Sequence, residues 1–212
     1  VEPGPRILRR LSREEYDATI KDLFGLDSHW GRAFVPDIVR GGFDNNADAL
    51  RVTPLLADQI GRAAEEIATE VMKNPAAIMP CDVAVEGAAV CSTKFINVVG
   101  KRIFRRPLEQ ADTDRYLALF QKVSAVDGFN TGIEVVLRAM LQSPHFLYRA
   151  ELGNPDLPAS PSRIRLTPYE VATVTAHAQA LALSTSLLRA STTGQFMSDV
   201  TGGVALATDR VF

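Results

Sequence analysis

Two capping signatures mark this chain as helical. Ser12 stands three residues before Glu15, and Thr167 three before Glu170. At that spacing the hydroxyl and the carboxylate reciprocally satisfy free amides at a helix start. Between the two signatures, apolar residues recur every three or four positions. Tyr16, Ile20, Leu23 and Phe24 precede Gly25; Leu56, Ile60, Ala63, Ala64, Ile67 and Val71 lie between Thr53-Pro54 and Asn74-Pro75. Further stripes predict helices over 90–104 (Phe95, Val98, Val99 and Ile103 inward), over 109–123 (Tyr116, Leu117, Phe120) and from Thr131 (Ile133, Val136, Leu137, Met140, Leu141). Asp127-Gly128 reads as a turn, and Ser143-Pro144 as a break or the start of a further turn through Phe146 and Leu147.

No run of five or more residues alternates in the manner of a half-buried strand; Val83–Val85 is the nearest. The expected fold is therefore all-α: a compact array of five or six helices with a long loop, 26–52, after the first. Its expected core is Tyr16, Ile20, Phe24, Ile60, Ile67, Phe95, Val99, Phe104, Leu117, Phe120, Leu137 and Leu141. Residues 1–152 are read as one helical domain and 153–166, with three prolines, as a linker. Residues 167–212 are read as a short helix with a weakly ordered tail. Beyond Glu170 only Arg189, Asp199, Asp209 and Arg210 are charged.

Charge and cysteine usage narrow the setting. With 23 basic and 25 acidic residues the net charge is -2, which gives no footprint for nucleic acid. No apolar run reaches the roughly 18 residues of a membrane span. Cys81 and Cys91 are the only cysteines. They flank a short loop, so a local disulfide in an oxidising compartment is the stronger reading over two buried thiols. The chain starts at Val1, which is read as a processed or internal start. The expected location is periplasmic or secreted.

Several stretches, in order, resemble large secreted proteins of planctomycetes and myxobacteria. They are Leu11-Ser12-Arg13-Glu14-Glu15-Tyr16 with Asp22-Leu23-Phe24-Gly25-Leu26; Gly42-Phe43-Asp44-Asn45-Asn46-Ala47-Asp48-Ala49-Leu50; Arg102 to Leu108; Leu141-Gln142-Ser143-Pro144-His145-Phe146-Leu147-Tyr148-Arg149; and Leu166 to Glu170. These are domains of unknown function that accompany planctomycete-type cytochrome c modules. The resemblance implies an exported, helical, redox-linked protein with a cytochrome c module or another envelope protein as partner. It implies no reaction and no catalytic residues. The chain has no Cys-x-x-Cys-His, so it attaches no haem of its own in the c-type manner. The resemblance stops near Val171, where composition also shifts; truncation with a tail from another reading frame would account for both.

Candidate chemistry sits in few places. Asp37, Asp44, Asn46 and Asp48 form the densest oxygen-donor cluster and are the candidate Ca²⁺ ligands, though without the EF-hand spacing. Turn-forming and helix-capping hydrogen bonds are the stronger reading of that loop. Lys101, Arg102, Arg105 and Arg106 fit a helix C-terminus, with Arg105 or Arg106 available to a buried carboxylate such as one from 44–48. His29, His145 and His177 lack metal-pair spacing. His145, with Asp44 and Asp48, is the candidate for catalysis, against packing as its commoner role. The leading function is a non-catalytic extracytoplasmic module of a redox-associated envelope protein. Two alternatives stand beside it. One is a Ca²⁺-dependent hydrolase using the acidic loop 37–48. The other is a polysaccharide- or protein-binding module with Trp30, Phe34 and Phe43 as an exposed aromatic platform.

Overall fold

In the computed structural model the described residues are 8–27, 29–38, 47, 50–149, 153 and 163–172, with 209–211 as a backbone segment. The first element is a two-residue strand, β1 (Arg9–Arg10), followed by α1 (Arg13–Phe24). The predicted capping box forms: Ser12 N donates to Glu15 Oε2 at 2.9 Å and Glu15 N to Ser12 Oγ at 3.3 Å. Gly25 ends the helix, donating to Lys21 O at 2.8 Å. The loop after α1 is interrupted by one turn of helix, α2 (Trp30–Ala33), which four residues cannot announce by periodicity.

Helix α3 (Pro54–Val71) opens as predicted, with Thr53 Oγ1 accepting from Leu56 N at 3.2 Å and Pro54 in the first turn. A 3-10 turn (Pro75–Ala77) and a short helix, α4 (Val83–Glu86), lead into α5 (Ala88–Phe104). The weak strand candidate at Val83–Val85 is thus helical. Asp82 caps it, its Oδ1 accepting from Ala84 N at 2.9 Å, a local bond that favours a turn over an extended strand.

Helix α6 (Gln110–Leu141) is two helices joined at a kink. Gly128 sits there at φ 84°, ψ 174°, a region open almost only to glycine. This is where the sequence predicted a turn. Ser143 caps a short helix, α7 (Pro144–Leu147), which runs into β2 (Tyr148–Arg149). Strand β2 pairs antiparallel with β1, placing Arg9 opposite Arg149 and Arg10 opposite Tyr148. Leu11 N extends the ladder to Leu147 O at 2.8 Å. The second capping box also forms, with Thr167 N to Glu170 Oε2 at 2.7 Å and Glu170 N to Thr167 Oγ1 at 3.2 Å. Strand β3 (Arg163–Arg165) pairs with β4 (Asp209–Val211). Among the described residues the protein is all-α apart from these short pairings.

The core is one cluster to which α1, α3, α5, α6 and α7 all contribute. Helix α6 packs on both α3 and α5. Tyr16 meets Phe34 and Phe146 edge-on, at centroid distances of 4.9 and 5.6 Å. Of the expected core, Phe24 and Leu117 are only partly buried, and Leu23 takes the inward place beside Ile20. Val98 was expected inward but is 46% exposed; the inner face of α5 runs through Phe95, Ile96, Val99 and Ile103. No helix among the described residues is long and apolar enough to cross a membrane.

Candidate functional site

The chemistry-bearing side chains gather along one seam, where β1 and the start of α1 meet the end of α5, α7 and β2. Five arginines take part: Arg9, Arg10, Arg105, Arg106 and Arg149. Each has a local reason to be there. Arg9 and Arg149 face each other across the β1–β2 ladder, an arrangement that destabilises unless an anion intervenes. Glu15 supplies one. It takes a bidentate fork from Arg9 at 2.8 and 2.9 Å while capping α1. Burial pushes the Glu15 carboxyl up. The Arg9 hydrogen bonds, the Ser12 amide and the charges of Arg149 and Arg9 outweigh it and hold the group below its ordinary 4.5.

A depressed carboxylate stabilises the fold above its unfolded value, and that contribution is lost as pH falls through the lowered, folded one. Stability should therefore fall with pH below about 4.5, and Glu15→Gln should flatten that limb in urea titrations at stepped pH.

Arg10 and Asp37 form the buried pair of the seam, at 2.5 Å, with side chains 5% and 8% exposed. Arg10 also donates to Leu11 O at 2.6 Å. The second Asp37 oxygen accepts from Arg13 N at 2.8 Å, an amide of the first turn of α1. Asp37, a candidate Ca²⁺ ligand from the sequence, is thus a partner for a guanidinium and a helix N-terminus. Asp44, Asn46 and Asp48, the other candidate ligands, lie outside the described residues, as do Phe43 and His177. Among the described residues no cluster of three or more His, Cys, Asp or Glu is placed to hold a metal ion.

Arg105 closes α5 in the left-handed conformation, φ 57°, unusual for a residue with a side chain. Its buried Nη2 donates to the carbonyls of Phe146 at 2.6 Å, Tyr148 at 3.3 Å and His145 at 3.4 Å. The His145 and Phe146 carbonyls are among those that the short helix α7 leaves without helical partners, and the Tyr148 carbonyl belongs to β2. Burial, and then the charge of Arg149, lowers the Arg105 guanidinium to about 10, so it stays charged at neutral pH. Arg106 pairs with Asp112 at 3.0 Å, and Asp112 also takes Arg115 at 2.5 Å. The carboxylate partner foreseen for Arg105 or Arg106 is therefore Asp112 in the case of Arg106.

His145, the sequence candidate for a ligand or base, is exposed at the edge of this seam. Its ring lies 5.4 Å from that of Phe104, and Arg106 Nη2 is 3.3 Å from both ring nitrogens. Partial burial of the ring, and then the Arg106 charge, lower its pKa and favour the neutral imidazole. His29 is exposed and precedes α2. The aromatic platform expected of Trp30, Phe34 and Phe43 does not form as read: Phe34 is 5% exposed, held inward by Tyr16. Trp30 is half-buried and donates to Glu66 Oε2 at 2.7 Å.

Sequence reasoning passed over Arg9, Arg10 and Asp112. A signal existed for Arg9, because an arginine just before a capping box has the box's carboxylate six residues on; the partner of Arg10 lies 27 residues away and leaves no local signal.

Residues 9–73 match the family model described as PSD3, protein of unknown function (DUF1587). Residues 91–151 match the one described as PSD5, protein of unknown function (DUF1595). Two domains of unknown function, PSD3 and then PSD5, are found in this chain. No curated protein and no solved structure matches it.

The seam lies between these two domains. PSD3 contributes Arg9, Arg10, Glu15 and Asp37; PSD5 contributes Arg105, Arg106, Asp112, His145 and Arg149. Arg102 of PSD5 reaches Leu23 O at the end of α1 at 2.9 Å. The family-like stretches through Arg149 fall inside the two matched segments, and the one at Leu166–Glu170 lies beyond both.

Cys81 and Cys91 sit at bonding distance, with sulfurs 2.22 Å and Cα atoms 5.7 Å apart. The pair links the stretch that separates the two matches to the first residue of the second.

Proposed function

We propose that the chain is an extracytoplasmic helical module of a redox-associated envelope protein, structural rather than catalytic, working beside a cytochrome c module. The observation that carries this reading is how the seam uses its charges. Glu15, Asp37 and Asp112 each hold a guanidinium, and Arg102 and Arg105 hold backbone carbonyls of neighbouring elements. Such charge-assisted bonds fix geometry and do not exchange protons at neutral pH. The resemblance to proteins that accompany planctomycete-type cytochrome c modules supplies the setting. The cysteine pair supports an oxidising compartment.

Recovery from the source cell tests this. Tagged chain should fractionate with the envelope, carry no free thiol, and cross-link to a protein that stains for covalent haem. Recovery from the cytosol with two free thiols, or cross-linking without any haem-bearing partner, would contradict it. The unfolding midpoint should also be the same in EDTA and in excess Ca²⁺. A Ca²⁺-specific rise would favour the hydrolase reading instead, since a ligand at one hundred times its Kd stabilises by about 2.7 kcal/mol.

A further inference from the structure

The stretch between the two domains packs unlike the rest of the molecule. From Met72 to Val90 no residue is buried, whereas Val71 before it and Cys91 after it are. Met72, Ile78 and Met79 lean on the core without entering it. Val85 points outward at 80% exposure. Helix α4 has one turn and no buried side chain. A segment this poorly anchored opens locally at low cost unless something else holds it. Among the described residues two side-chain ties join 74–87 to α5: the ion pair of Lys94 with Glu86, which is partly exposed, and the Cys81–Cys91 bond.

The two sulfurs are not equivalent. Cys81 belongs to the exposed stretch and is itself partly accessible, while Cys91 is fully buried in the first turn of a 17-residue helix. Gly87, the cap of that helix, brings no side-chain acceptor to its amides. The helix N-terminus favours a thiolate here, burial opposes it until the neighbouring segment opens to water, and a stabilised thiolate is the better leaving group in exchange.

We infer that Cys81 is a thiol–disulfide exchange site for an external dithiol, with Cys91 as the leaving thiolate, and that exchange releases the 72–90 segment from an intact core. One thiolate of the dithiol attacks Cys81 Sγ. The Cys81–Cys91 bond breaks, and its electron pair leaves on Cys91 Sγ, which takes a proton from water. The second thiolate of the dithiol then attacks the mixed disulfide, closes its own disulfide and releases Cys81. Two electrons reach the protein, and the dithiol is oxidised by two. The inference rests on burial and helix position, independently of the function proposed above.

The test uses the whole oxidised chain without denaturant. Dithiothreitol should reduce the bond at a rate proportional to its concentration. Deuterium uptake over 74–87 should then rise at least about tenfold, while amides of α3, of α6 and of α5 beyond Cys91 change by less than about twofold. With glutathione as a monothiol probe, peptide mapping should find the mixed disulfide on Cys81. Reduction that proceeds only at the rate of global unfolding, uptake that rises equally throughout the chain or not at all over 74–87, or glutathione mapped to Cys91 would each overturn the assignment.

Discussion

Replacing Asp37 by alanine should cost the fold about 3–5 kcal/mol, the range expected when one member of a buried ion pair is removed. The change leaves the Arg10 guanidinium buried without its counter-charge. It also takes the acceptor from Arg13 N at the start of α1, where a carboxylate is favoured by the helix dipole. Most of the loss is the penalty of the stranded Arg10 rather than the worth of the pair. A double variant, Arg10→Met with Asp37→Leu, should therefore lose much less than the two single variants summed. Urea denaturation of the four proteins gives the coupling directly. A loss below about 1 kcal/mol in Asp37→Ala would place the pair among weak surface contacts. A loss that appears only with Ca²⁺ present would make Asp37 a cation ligand after all.

Gly31→Ala should be nearly as damaging, at about 3 kcal/mol, for a different reason. A Cβ built on Gly31 falls 2.2 Å from the backbone oxygen of Arg13. That oxygen belongs to α1 and cannot rotate away. The same contact is secured by Gly31 N donating to Asp17 Oδ1 at 2.7 Å and Arg13 Nε donating to Gly31 O at 2.9 Å. Displacing α2 would break both and draw Phe34 from its place against Tyr16. Gly61→Ala is the control. It lies inside α3, where the nearest atom to a new Cβ is the Gln142 side-chain oxygen at 3.6 Å. There the substitution should stabilise by up to about 1 kcal/mol, because alanine is the better helix former. Thermal midpoints of opposite sign for the two variants would bear out the packing; equal effects would not.

The helices were legible because their ends are chemically marked. Ser12, Thr53, Ser143 and Thr167 each accept the amide bond that their position foretold. Gly128 turns the chain where the Asp-Gly pair said it would. What failed to show was short or tertiary. One turn of helix at Trp30–Ala33 has no period to detect, and Phe34 and Trp30 looked equally available for an exposed face. Tyr16 decided the matter by burying Phe34, through a contact spanning the loop. Val98 and Ile96 are both apolar, and only the packing partner of α5 selects which turns inward.

The seam was half legible. The basic run at the end of α5 was seen, but its acceptors are carbonyls of α7 and a carboxylate of α6. Backbone acceptors leave no trace in side-chain identity. Asp37 reads as a cation ligand because an acidic residue near Asp44 and Asp48 suits either role, and its ion-pair partner, Arg10, stands 27 positions away.

PSD3 and PSD5 share one core, so neither should fold apart from the other. Native-state hydrogen exchange across a urea series reads this most directly. The slowest amides of α1 and α3 should merge with those of α5 and α6 into a single opening, with one free energy and one urea dependence. Two separate openings, with α1 and α3 exchanging while α5 and α6 stay closed, would show two independent units and contradict the seam as their common bond.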